Sequence, residues 1–381
     1  MYLIIAITCL LFLVYALLIM YYHRAWKSIP DFNNNISQTP TVKISIIIPV
    51  RNEEKNILNC IRSLAKQNYP SSLFEVIIVD DHSTDETWNL LTTSINDAIK
   101  IVPLKLSDYT NENIKAYKKF AIETGINKST GTLIITTDAD CSFNKNWLQT
   151  IADFYISTNA KFIASPVKID ANNSLLSIFQ TLDFITLQGI TGASVFKKIH
   201  SMCNGANLAY EKKVFYQVDG FRDIDNIPSG DDMLLMHKMY KKYPAAVFFL
   251  KNKNAVVSTK PETNFKGFIN QRIRWASKAD KYDDKRIFRV LLLVYFINVL
   301  FFVLFILSFF NRIYFFSLII LLMLKTLIEF PFVKSVAGFF DQKKLLIYFP
   351  FFQPLHILYT ISIGWLGKFG SYKWKERKIE K

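Results

Sequence analysis

The sequence predicts an α/β domain built on a parallel sheet and flanked by transmembrane helices. Between Lys43 and Ile156, short β-branched runs alternate with stretches of helical periodicity, the pattern of strands in one sheet joined by crossover helices. Two uncharged runs, Tyr2 to Tyr22 and Val290 to Asn311, are each long enough to cross about 30 Å of hydrocarbon. Hydrophobic residues make up 51% of the 381-residue chain, more than a soluble domain needs, and the surplus sits in those terminal runs.

The first run has no basic n-region, exceeds the length of a signal peptide's apolar core and lacks a small-x-small site before the charges begin, so residues 1–23 are expected to form a retained anchor. His23, Arg24 and Lys27 follow it, and Lys278, Lys281, Lys285, Arg286 and Arg289 crowd the second run. By the positive-inside rule both flanks, and the domain between them, face the cytoplasm. A net charge of +15 suits anionic headgroups and anionic substrates, although juxtamembrane Lys and Arg also set topology alone. Nucleic acid is not an expected partner, because the basic residues form no aromatic-interleaved platform and no recognisable binding module. Cys9, Cys60, Cys141 and Cys203 share no metal-ligand spacing and read as structural thiols.

Residues 24–41 form a linker, rich in Asn, Ser, Thr and Pro from Asp31 onward. The domain over 42–285 then opens with the strand Lys43 to Val50 and the helical pattern Asn52 to Lys66. Three further pairs follow: Glu75 to Val79 with Thr84 to Ile95, Ile101 to Leu106 with Ile114 to Ile126, and Thr132 to Thr137 with Asn144 to Ile156. Ligands of such sheets bind beyond the carboxyl ends of the strands. There the chain carries Pro49-Val50-Arg51-Asn52-Glu53, Asp80-Asp81-His82-Ser83 and Asp138-Ala139-Asp140.

Asp138 and Asp140 can share a hard divalent cation that also takes phosphate oxygens as ligands and neutralises a departing diphosphate; an Asp-x-Asp after a strand is also an ordinary solvated turn. An acid at the tip of the second strand can accept from a nucleobase, with Asp81 preferred over Asp80, whereas a helix cap is the plainer role for both. Lys118 and Lys119 open a helix where a cation meets phosphate, or simply line a solvated face. Asp231 and Asp232 precede the apolar run Met233 to Met236. Helix-dipole stabilisation explains an acidic pair there, and a general base drawing a proton from an acceptor hydroxyl is the functional reading for Asp232. In Gln271-x-x-Arg274-Trp275, the guanidinium can fork onto a diphosphate and the indole can face a sugar ring. An interfacial Trp-Arg pair is the alternative.

In their order from Lys43 to Trp275, these segments resemble the family 2 glycosyltransferases of the GT-A (Rossmann-like) fold. ISIIIPVRNEE resembles the family's opening strand, EVIIVDDHSTDET its nucleotide-recognition segment, YKKFAIETGI its Lys-containing helix, TTDADCSF its metal site, GANLAYEKKVFYQVDGF its acceptor-side segment, GDDMLL its general-base motif and QRIRW its Gln-x-x-Arg-Trp box. The resemblance implies inverting transfer of a sugar from a nucleotide-sugar donor, with a UDP-sugar the first expectation, in one displacement by a hydroxyl that Asp232 activates. It further implies Mg²⁺ or Mn²⁺ on Asp138 and Asp140, and nucleotide or donor contacts from Pro49, Arg51, Glu53, Asp81, Lys118 and Asp138. Asp231, Gln271, Arg274 and Trp275 fall to the acceptor and diphosphate side. Tyr117 stands where the family often has Gly, and Asp231 where Glu usually precedes the catalytic acid. The Gln-x-x-Arg-Trp box is shared with cellulose, chitin, hyaluronan and poly-N-acetylglucosamine synthases. It implies a lipid-linked or polysaccharide acceptor in a bacterial inner membrane, with membrane lipids and further complex subunits as partners. Two other readings stand beside this one: a catalytically silent membrane subunit that binds nucleotide sugar, and a sugar nucleotidyltransferase, whose Gly-rich phosphate loop is missing from Pro49 to Ile57.

Residues 286–370 are expected to hold transmembrane or interfacial helices, with a basic tail over 371–381. Within Ile313 to Val333, Lys325 and Glu329 are four apart and can pair, and charges at membrane depth point to a functional path or to a buried couple. Pro350 and Pro354 are expected to break the fourth run, Leu345 to Gly367, into a re-entrant or interfacial segment.

Overall fold

In the computed structural model the described residues are 2–33, 39–93, 98–109, 114–199, 202–278, 284–374 and 377–379. Lys281, Ile95 at the end of an expected helix, and the side chains of the basic tail from residue 372 lie outside them. Along the chain the elements are α1 (Tyr2–Ser28), β1 (Ile44–Val50), α2 (Ile57–Ala65), β2 (Phe74–Asp80), α3 (Thr87–Thr93), β3 (Lys100–Lys105), α4 (Tyr117–Lys128), β4 (Leu133–Thr136), β5 (Ser142–Phe143) and α5 (Trp147–Thr158). They continue as β6 (Phe162–Ala164), β7 (Val167–Ile169), α6 (Leu175–Phe196), β8 (Leu208–Glu211), α7 (Lys212–Gln217), α8 (Met233–Lys242), β9 (Val247–Phe249) and β10 (Val257–Thr259). Last come α9 (Phe265–Ala276), α10 (Lys285–Ser308), α11 (Arg312–Phe339), α12 (Phe349–Phe369), and the antiparallel pair β11 (Tyr372–Trp374) and β12 (Arg377–Ile379). Two compact units result: a sheet unit of Ile29–Asp170 with Val195–Lys260, and a helical unit of Met1–Ser28, Ala171–Ser194 and Pro261–Lys381.

The sheet unit is a seven-stranded sheet in the order β3-β2-β1-β4-β8-β6-β9. β3, β2, β1 and β4 are parallel, β8 runs antiparallel to β4 and β6, and β9 is parallel to β6. The sequence ISIIIPV has no polar alternation because β1 is central and covered on both faces; Ile44, Ile46, Ile47 and Ile48 are fully buried, each worth about 1.5–3 kcal/mol. Pro49 fits inside this strand for a geometric reason. Ile47 O accepts from Thr137 N on the β4 side, so residue 49 faces that side too, and β4 has already ended at Thr136. No ladder bond is lost.

The sequence of β1, β2 and β3 runs outward on one side of β1, while β4 returns to its other side. This makes the gap between β1 and β4 the topological switch point, where a crevice opens beyond the carboxyl ends. The short antiparallel strands of the far half and a second sheet, β5-β10-β7, were not among the sequence expectations. The helix expected from Asn52 starts only at Ile57, because Asn52 takes a left-handed φ of 52° and the next turns are held by side chains of another loop.

In the helical unit α1 packs on α10 and α11, and α12 on α9 and α10. The helices α1, α10 and α11, and the segment Lys343–Phe369 that contains α12, are long and apolar enough to cross a membrane. The expected break at Pro350 and Pro354 is not found: α12 is continuous. Pro350 sits in its first turn, where a backbone N–H has no helical partner to lose, and the helix also accommodates Pro354. Lys325 and Glu329 are buried and paired at 2.7 Å. Gln353 closes the pair from α12, accepting from Lys325 Nζ at 2.6 Å and donating to Glu329 Oε2 at 2.6 Å, and the Tyr15 hydroxyl of α1 donates to Glu329 Oε1. The pair is therefore held as a buried couple, its charges satisfied by the helices it joins.

Candidate active site

The carboxyl ends of β1, β2 and β4 carry the predicted acids, and side chains tie their loops together. Asp81 N donates to Val50 O, extending the β1–β2 ladder past Asp80. Arg51 Nη1 donates to the carbonyls of Asp81 (2.8 Å) and His82 (2.7 Å). Backbone N–H groups of Asn52, Glu53 and Glu54 are taken by Ser83 Oγ, Thr87 Oγ1 and Asp85 Oδ2. Arg51 and the stretch Asn52 to Glu54 thus fasten two loops to each other at the switch point. Asp81 is 2% exposed and its carboxylate lies 3.0 Å from His82 Nδ1, while Asp80 accepts from Ser83 N within the loop; the helix expected from Thr84 starts at Thr87, whose N–H is taken by Asp85 Oδ1 and not by Asp80 or Asp81. The two lysines of α4 part company. Lys119 is buried and donates to Ile224 O and Ile227 O, pinning the 220–228 loop, and Lys118 turns to the acids.

Lys118 Nζ lies 2.8 Å from Asp138 Oδ1 and 3.3 Å from Asp231 Oδ2. Two motifs more than 90 residues apart, TTDADCSF and GDDMLL, are therefore joined by one ammonium. Asp232, the next residue, caps α8 by accepting from Met233 N at 2.7 Å. Gly205 passes so close that a Cβ there would lie 3.0 Å from Asp231 Oδ2 and 3.7 Å from Asp232 Cβ, and Thr137 Oγ1 donates to the neighbouring Ala206 O.

Asp140 accepts from Thr259 Oγ1 of β10 at 2.8 Å and from the buried Cys141 thiol. Burial, then the charges of Asp138 and Glu53, push its carboxyl up to about 6, with the Thr259 bond working the other way. A half-buried acid made costly by neighbouring acids is what a hard divalent cation relieves. Asp140 also borders a polar cavity of about 180 Å³ that reaches Asn56, Asn59, Asp170 and Lys260. Among the described residues no three His, Cys, Asp or Glu side chains form a ready metal cage. Asp138 and Asp140 fit a cation that completes its shell from diphosphate oxygens and water, as Mg²⁺ and related ions do.

The sequence is matched by the family model "Glycosyl transferase family 2" over residues 45–218 and by "Glycosyl transferase family group 2" over residues 133–361, more than half of the chain. This chain is a member of the family 2 glycosyltransferases. The probable glycosyltransferase YdaM of Bacillus subtilis is 26% identical over 66% of this chain and 58% of its own length. An undecaprenyl-phosphate 4-deoxy-4-formamido-L-arabinose transferase of Yersinia pestis is 37% identical over 26% of this chain and 30% of its own. The chain thus spans less than two thirds of either relative. A mannosyltransferase of Pyrobaculum calidifontis, solved with GDP-Man and Mn²⁺, superposes with a TM-score of 0.59, covering 96% of this chain and 98% of that one at 16% identity. That likeness confirms the GT-A fold.

In this glycosyltransferase the Gln-x-x-Arg-Trp box lies on α9 of the helical unit, not in the sheet unit that holds Asp138, Asp140, Asp231 and Asp232. Gln271 Nε2 donates to Glu262 Oε1 at 3.1 Å, and Arg274 and Trp275 follow one turn later. Between them is a residue that the sequence reading passed over. Arg272 is 2% exposed, pairs with the buried Asp183 of α6 at 2.9 Å, and stacks 4.1 Å over the Trp275 ring. Burial raises the Asp183 carboxyl, but the Arg272 charge, with His356 and Tyr359, brings it below its ordinary value. Arg272 and Asp183 fix the indole. In the sequence the only hint of this is a long polar residue inside the Gln-x-x-Arg-Trp box.

Proposed function

We propose that this protein transfers a glycosyl group from a nucleotide-sugar donor to a lipid-linked or polysaccharide acceptor at the cytoplasmic face of a membrane, with inversion at the anomeric carbon. The observation that carries the reading is the meeting of Asp138, Asp140, Lys118, Asp231 and Asp232 around the switch point of one sheet. Asp138 and Asp140 would hold a divalent cation, Mg²⁺ or Mn²⁺, which supplies charge neutralisation for the departing nucleoside diphosphate. Asp232 is the base that takes the acceptor's proton, its rotamer fixed by the bond to Met233 N. Arg51 and Glu53 order the loops against which the nucleotide lies, Pro49 lets β1 end beside them, and Asp81 is the acid offered to the base. Gln271, Arg274 and Trp275 are assigned to the diphosphate and acceptor.

Four helices fit to span a bilayer favour a membrane-borne acceptor, and the Yersinia relative, named for undecaprenyl phosphate, is consistent with a lipid one. Membranes carrying the protein are expected to release nucleoside diphosphate from one member of a panel of nucleotide sugars, only with a divalent cation. Asp232→Asn is expected to lose transfer by about a hundredfold or more while nucleotide binding persists. Full turnover by that variant would overturn the assignment.

A further inference from the structure

The Lys118 ammonium occupies a place that carries more than donor contact. It touches Asp138 Oδ1 at 2.8 Å and Asp231 Oδ2 at 3.3 Å, and its side chain is only 17% exposed. Asp138 is one of the two carboxylates offered to the cation. A divalent ion on Asp138 would face that ammonium across a single carboxylate, in a partly desolvated setting where like charges repel strongly. Each weakens the other's hold on that carboxylate unless an anion is added. The second residue of α4 carries Lys118 at a helix start, a natural seat for phosphate, and its flexible stem lets the charge move as a point.

We infer that Lys118 is an internal stand-in for the metal: it neutralises Asp138 and Asp231 in the empty enzyme and transfers its contact to the diphosphate of the arriving donor. Cation and nucleoside diphosphate then enter together, because the diphosphate both draws the ammonium off Asp138 and supplies the remaining metal ligands. Release of Asp231 from the same ammonium follows donor arrival, so the segment that carries Asp232 is freed only when a nucleoside diphosphate is present. This rests on the assignment of Asp138 and Asp140 to a cation.

The test is Mn²⁺ binding by the full-length protein in nanodiscs, read from the electron paramagnetic resonance signal of unbound Mn²⁺, alone and with UDP or GDP. Wild type is expected to bind Mn²⁺ at least about tenfold more tightly with one of the nucleotides, and by linkage Mn²⁺ must tighten that nucleotide by the same factor. Lys118→Met is expected to bind Mn²⁺ alone about tenfold more tightly than wild type and to lose most of the nucleotide effect. Lys118→Arg keeps the competing charge and is expected to stay near wild type. Wild type that binds Mn²⁺ equally with and without nucleotide overturns the inference without need of a variant. So does a folded Lys118→Met with no gain, in which case the metal site itself stands. No Mn²⁺ uptake by wild type under any of these conditions removes the cation assignment and the inference together.

Discussion

Two glycines of the sheet unit separate activity from stability. A Cβ on Gly205 would lie 3.0 Å from Asp231 Oδ2 and 3.4 Å from Lys118 Nζ. The near atom is the end of a side chain, which can rotate away by a few tenths of an ångström. The strain is that of one off-rotamer carboxylate, about 0.5–1.5 kcal/mol. The same shift opens the 3.3 Å contact between Asp231 and Lys118. If that strain appears in the transition state, Gly205→Ala slows nucleoside diphosphate release by about 2- to 12-fold with thermal unfolding little changed. A Cβ on Gly131 would lie 2.6 Å from Ser45 N and 2.7 Å from Ile44 C. Those are backbone atoms of the central strand, and they cannot yield without parting β1 from β4. Gly131→Ala is therefore expected to cost about 1–3 kcal/mol or more and to leave any folded fraction with normal turnover. The assay pairs donor turnover per folded molecule with fluorescence-detected unfolding in detergent. A Gly205→Ala protein that melts as early as Gly131→Ala yet turns over at the wild-type rate would refute the argument.

Acid stability should depend on Glu75, whose carboxyl, despite the upward push of burial, is brought from 4.5 to about 2 by hydrogen bonds from Lys100, Ser45 and Thr130. A depressed carboxyl stabilises the fold above its unfolded pKa, so about 3 kcal/mol present at neutral pH should fade between about pH 5 and 2, and Glu75→Gln should flatten that part of the unfolding profile; an unchanged profile would contradict it. In the helical unit, Lys325→Met strands the buried Glu329 carboxylate and should cost about 3–5 kcal/mol, much of it recovered in Lys325→Met/Glu329→Gln. Equal melting of the single and double variants would show that the charge is not held there.

The parallel half of the fold was legible because its signals are local. ISIIIPV and EVIIVD are continuous apolar runs, each followed within a few residues by helical spacing, and the rule that ligands sit past the carboxyl ends placed the acids without coordinates. The antiparallel half was not, since β6, β8 and β9 are three or four residues long and too short for a period to register. α2 starts later than its periodicity suggests because Ser83, Thr87 and Asp85 take the N–H groups of Asn52 to Glu54 across the carboxyl ends of the strands. No pattern within residues 52–66 records those partners. Thr259 holds Asp140 from 119 residues away, and Asp183 meets Arg272 across two helices; both are products of topology.

In the Gly230-Asp231-Asp232 segment the capping role leaves room for the proposed chemical one. A carboxylate offers about four acceptor positions, so the bond from Met233 N to Asp232 Oδ1 uses part of that capacity and sets the side chain's direction. Gly230, at φ 82°, gives the turn its left-handed step, which sends two consecutive acids to different partners: Asp231 to the Lys118 ammonium and Asp232 to the start of α8. Asp231, where the resemblance leads one to expect Glu, is the acid that meets Lys118, so that one ammonium spans Asp138 and Asp231 at 2.8 and 3.3 Å, and the missing Cβ of Gly205 leaves the Asp231 carboxylate room beside it.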